Sequence, residues 1–101
     1  MSLLSDMALS LRIKTTTYNT EIQDLIDACI ADLTISGILQ SKIDTLNTDS
    51  PDILLKRCVI LYCKSGFGLD NKDDTKYKLM YDSLKIHLML SSEYTVEVAD
   101  V

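Results

Sequence analysis

Apolar residues recur along this chain at spacings of three and four, the period of a helix that turns one face to a core. The pattern is clearest at Tyr18, Ile22, Leu25, Ile26, Cys29, Ile30 and Leu33, with Glu21, Gln23, Asp24, Asp27 and Asp32 mostly elsewhere on the wheel. It predicts a helix over Asn19 to Ser36. Thr20 and Gln23 have capping-box spacing, Thr17 or Asn19 are alternative caps, and Gly37 offers a left-handed stop. A shorter amphipathic segment precedes it, with Leu4, Ala8 and Leu11 on one face. Thr15, Thr16 and Thr17 then read as a loop.

Two further helices follow. Ser50 and Pro51 have the form of an N-cap and a first helical residue. Leu54, Leu55, Cys58, Val59, Leu61, Tyr62 and Cys63 then run apolar around most of the circumference, which predicts a central helix ending at Ser65–Gly66. From about Asp73 to Ser91, Tyr77, Met80, Tyr81, Leu84, His87 and Leu88 form a stripe that Ile86, Met89 and Leu90 widen. The connection carrying Ile38, Leu39, Ile43 and Leu46 suits either a short helical turn or a packed loop. In the tail, Tyr94, Val96 and Val98 alternate with Thr95 and Glu97, a strand-like period. The expected fold is mainly all-α: a compact bundle of about four helices over residues 1–92 as one domain, with residues 93–101 as a short strand or extended tail.

The 101 residues are 47% hydrophobic and 25% charged, the balance of an ordinary soluble domain, with a net charge of −5. That charge, and a longest basic run of only Lys56–Arg57, argue against tight non-specific nucleic-acid binding. No run approaches the roughly 20 apolar residues that span a bilayer, and no basic segment leads into an apolar run at the start, so neither a membrane span nor a secretory signal is expected. Cys29, Cys58 and Cys63 are odd in number, lack a Cys-x-x-Cys pair and fall within helical patterns; they read as buried, reduced thiols.

The stretch from Gly66 to Asp74 is where chemistry would be sought first. As a phosphate loop it fails, because Asn71 stands where a dinucleotide fingerprint needs glycine and no Gly-Lys-Ser/Thr enters the next helix. As a calcium loop it places Lys72 at a ligand position between Asp70 and Asp74, with Thr75 and Tyr81 where glycine and glutamate belong. It reads instead as a connector: Gly66 and Gly68 end one helix, Phe67 and Leu69 pin it, Asp70–Asn71 turn, and Asp73–Asp74 start the next. His87 is the sole histidine and reads as a partly buried imidazole on the stripe. A nucleophile at Cys58 or Cys63 with His87 as base has no local support. No catalytic residue, metal ligand or cofactor is expected.

The run Pro51 to Gly68 (PDILLKRCVILYCKSGFG), followed by Tyr77 and by Tyr81 to Leu84 (YDSL), resembles the small phage head–tail connector (adaptor) family, often labelled DNA-packaging proteins. The opening is similar too, with a short helix ending in Leu11–Ile13, a polar loop, then the striped segment Asn19 to Leu33; the likeness covers about residues 4 to 92. It implies a non-enzymatic helical protomer of the virion, assembled in the host bacterial cytoplasm. Such a protomer forms a homo-oligomeric ring beneath the portal protein and above a downstream head-completion or tail protein. DNA would pass through the ring's channel without sequence-specific binding. Ile38, Leu39, Ile43, Leu46, Tyr94, Val96 and Val98 are then the candidate subunit or portal interface. Rival readings are a small helical DNA-binding regulator, which the charge opposes, and a Cys/His enzyme.

Overall fold

In the computed structural model, residues 3–68 and 72–96 are described, and all regular structure among them is helical. The order is α1 (Leu3–Ser10), α2 (Asn19–Ile35), α3 (Gln40–Asp44) running into a 3-10 turn at Thr45–Asn47, α4 (Ile53–Gly66), α5 (Asp74–Met89) and a one-turn α6 (Ser92–Thr95). As its near-continuous apolar surface demands, α4 is central and packs against α1, α2 and α5. It buries Leu55, Cys58, Val59, Leu61 and Cys63. Facing them are Leu3 and Met7 of α1, Ile22, Ile26, Cys29 and Leu33 of α2, and Tyr81 and Leu88 of α5. Each Leu or Ile buried this fully contributes about 1.5–3 kcal/mol of transfer free energy.

Two helices end in the same hydrogen-bonded motif built on different residues. After α2, Gly37 N–H donates to the Thr34 carbonyl (3.1 Å) and Ile38 N–H to the Leu33 carbonyl (3.1 Å). This is a Schellman closure with Gly37 at φ +94° and with Leu33 and Ile38 both buried. After α1, Arg12 N–H bonds the Leu9 carbonyl (3.0 Å) and Ile13 N–H the Ala8 carbonyl (2.9 Å). Here Arg12 takes the left-handed position at φ 61°, where an L side chain is strained.

Helix starts depart from the sequence expectation. α4 begins two residues after Pro51, and its N-cap is Asp52 rather than Ser50: Asp52 Oδ1 accepts from Leu55 N–H at 3.0 Å. Tertiary partners select Asp52, since its own N–H donates to Thr45 Oγ1 at 2.8 Å and its carboxylate accepts from Tyr94. At α2 the N-cap residue is Tyr18 with no side-chain cap bond; Gln23 donates along the helix to Asp27 instead (2.9 Å). The connector after α4 contains Phe67, edge-on to Tyr18 at 5.5 Å between centroids, and Gly68 at φ +91°. Gly66 stays helical, with a Cβ there falling 2.7 Å from Leu25 Cδ2. Leu69, Asp70 and Asn71 lie outside the described residues.

The strand expected from Tyr94 onward is not formed over the described part. Tyr94 belongs to α6, and Val96 is its C-cap; Glu97 and Val98 lie outside the described residues. Three alternating apolar residues carry little register information, and the tyrosine's polar contacts decide the local shape.

The paired helix ends give a direct test. Arg12→Gly relieves the left-handed strain and raises stability by up to about 1 kcal/mol, whereas Gly37→Ala lowers it by about 1 kcal/mol. Urea denaturation followed by circular dichroism reads both changes. Destabilisation by Arg12→Gly would show that the side chain, not the backbone, matters there.

Candidate functional site

The sequence-derived interface residues do not lie together on the surface. Ile38, Ile43, Leu46 and Tyr94 are buried in the protomer's own interior, Leu39 is half-buried and Val96 is exposed. Val98 lies outside the described residues. The buried four are held by a polar clasp. Leu39 N–H donates to the Tyr94 carbonyl at 2.8 Å, and the Tyr94 hydroxyl donates to the Asp52 carboxylate, 3.0 and 3.2 Å from its two oxygens. The Lys42 ammonium sits 5.1 Å over the Tyr94 ring. One carboxylate therefore joins α6 to the start of α4. Burial first, then the hydrogen bond to Asp52 and its charge, push the Tyr94 hydroxyl up to about 12.

A second buried tyrosine closes the other end. Tyr81 donates to Asp32 Oδ2 at 2.6 Å, the same oxygen that Lys85 Nζ reaches at 2.8 Å. Tyr62 packs edge-on against Tyr81 at 5.1 Å. Burial works against the charge on Asp32, but the bonds from Lys85 and Tyr81, with the charges of Lys85 and Lys78, outweigh it and hold the carboxyl below its ordinary value.

The thiol–imidazole pairing is not assembled. Cys29, Cys58 and Cys63 are fully buried. Burial pushes Cys58 and Cys63 up to about 12 and Cys29 higher still, so all three are protonated thiols at neutral pH. His87 is exposed rather than partly buried, because the α5 stripe faces α4 along Tyr81 and Leu88 and leaves position 87 on the outer flank. No cluster of metal-binding side chains occurs among the described residues.

What does stand out is an open groove of about 580 Å³ between α4 and α5, lined by Arg57 and Leu61 on one side and Leu79, Met80, Leu84 and His87 on the other. Leu79 and Met80 are 63% and 38% exposed, and nearby positions Ile86 and Leu90 are 54% and 84% exposed. On a helical wheel, 79, 80, 83, 86, 87 and 90 fall within roughly 120° and exclude Lys78, Asp82 and Lys85. Sequence reading took Met80 and His87 as inward-facing and left Leu79 out. The signal available was width: an apolar sector this broad exceeds what one neighbouring helix covers. The groove holds no carboxylate and no thiol. Its lining is mostly apolar, with Arg57, Ser83 and His87 as the polar side chains.

Compared with known protein families, residues 3–95 match the family model described as phage connector protein. Searches of curated proteins and of solved structures found no match to the chain.

The Tyr94 clasp makes a pH prediction. With its folded value raised above the ordinary 10, the phenol is protonated in both states below pH 10, and its contribution there is complete. Between pH 10 and about 12 the unfolded chain releases the proton while the folded one retains it, so stability falls as pH rises. The stability difference between wild type and Tyr94→Phe, followed by urea midpoint from pH 8 to 12, should therefore shrink across that window. A constant difference would place Tyr94 outside the clasp.

Proposed function

The chain belongs to the phage connector protein family, and from that premise we propose that it is a head–tail connector (adaptor) of a tailed phage or prophage. Copies form a ring under the portal vertex, and DNA passes through that ring as packaging is completed and again at ejection. The partners are copies of the same chain, the portal protein above and a head-completion or tail protein below. The protein is a virion component, put together in the host bacterial cytoplasm.

The family match over residues 3–95 carries this reading. The surface is consistent with it: Leu79, Ile86 and Leu90 stand at i, i+7 and i+11 along one face and are each more than half exposed, the kind of apolar patch that marks a contact surface. Leu39 and Val96 keep surface available for subunit or portal contact. The net charge of −5 suits a passage that repels phosphate and so does not trap its cargo. No helix among the described residues is long and apolar enough to cross a membrane.

Two measurements test the proposal. Negative-stain electron microscopy of the concentrated protein, alone and mixed with the portal protein of the same phage, should show rings in at least one condition. Fluorescence anisotropy with a labelled duplex at physiological salt should show no binding tighter than about 10 μM. Tight, sequence-dependent binding by a lone protomer would favour a regulator and overturn the connector reading.

A further inference from the structure

Fixed charge is distributed unevenly over the helices. α2 carries Glu21, Asp24, Asp27 and Asp32 and no lysine or arginine, while α4 carries Lys56, Arg57 and Lys64 and no carboxylate. Part of this is used within the protomer, where Asp32 meets Lys85 at 2.8 Å and Lys56 meets Asp6 at 3.1 Å. Asp24 and Asp27 remain on the exposed face of α2, and Arg57 lines the α4–α5 groove.

The acidic face of α2 is also partly apolar and smooth. Asp24, Ala28, Ala31 and Ile35 stand at i, i+4, i+7 and i+11, all exposed, with Ile35 85% accessible. The two alanines let another helix pair approach closely, and Ile35 is an apolar side chain with nothing of its own protomer over it. The groove offers the counterpart: an apolar floor of Leu61, Met80 and Leu84, with Arg57, Ser83 and His87 as its polar groups and no acid.

We propose that the α4–α5 groove receives the outer face of α2 from a second copy of this chain, with Ile35 on the apolar floor and Asp24 and Asp27 toward Arg57. The occupant is another copy because this chain itself carries the matching surface, opposite in sign to Arg57 and bearing exposed apolar side chain. α2 cannot fill its own protomer's groove, since its inner face is fixed against α4 by Ile22, Ile26, Cys29 and Leu33. Each copy then uses two different surfaces, one given and one received, which makes the contact heterologous and propagates it from copy to copy. The inference rests on the assembly reading above and names the surfaces through which that assembly is made.

Cross-linking decides it. Ile35→Cys and Met80→Cys both change exposed side chains, and the three native thiols are buried and protonated, so a short bis-maleimide at neutral pH reports the new cysteines. In assembled protein, with portal present if assembly needs it, an equimolar mixture of the two variants should give a dimer band. Either variant alone should give at most about a tenth as much, and the double variant a ladder of multimers. Charge exchange gives an independent readout: Asp27→Arg and Arg57→Glu should each weaken association about tenfold, and the double exchange should restore most of it. Circular dichroism checks that every variant is folded.

Rings that form without the 35–80 cross-link overturn the inference and leave the connector reading standing. So does a Met80→Cys cross-link to itself, or a groove covered only by the portal. Absence of rings in every condition, with portal included, removes both.

Discussion

The burial of α4 is the constraint on which the rest of this structure depends. Its apolar residues run around most of the circumference, so it is stable only with neighbours on several sides, and α1, α2 and α5 supply them. Among the described residues there is no further long helix with which to cover α5 in turn. α5 therefore buries Tyr81 and Leu88 against the centre and leaves Leu79, Ile86 and Leu90 outside. The open groove is the geometric remainder of surrounding one very apolar helix with too few others. In the assembly proposed above, covering that remainder falls to the next copy of the chain.

Two tyrosine–carboxylate joints hold this arrangement in register. Asp32 on α2 receives the hydroxyl of Tyr81 on α5, and Asp52 at the head of α4 receives that of Tyr94 on α6. In both, a buried ring supplies apolar area while its single donor must find an acceptor, so the phenol selects one geometry among those that apolar packing alone would tolerate. The partners are 49 and 42 residues apart in sequence. Asp52 combines its tertiary role with capping α4, so helix initiation and docking of the C-terminal turn share one side chain.

Much of the fold was legible in the sequence because helical periodicity is a local signal. α2 falls within a residue of its expected end, its left-handed stop at Gly37 is present, and α4 is central as its circumference implied. What periodicity could not supply was the choice among capping residues, where Asp52 prevails over Ser50 through contacts with Thr45 and Tyr94. Nor could it separate apolar residues that complete the interior from those that remain outside. Ile38, Ile43 and Leu46 look like surplus in a short connection but are buried, while Leu79, Ile86 and Leu90 sit on a long helix and are exposed. Burial on such a helix depends on how many neighbours arrive, a property of the whole fold.

The three cysteines have a consequence for durability. Peroxides and disulfides are attacked by thiolate, and the protein interior denies Cys29, Cys58 and Cys63 both ionisation and access. A subunit with thiols shielded in this way meets air-saturated water without acquiring cross-links or oxidised sulfur. Sulfur here serves as small, dense filler, chemically silent for as long as the helices stay packed.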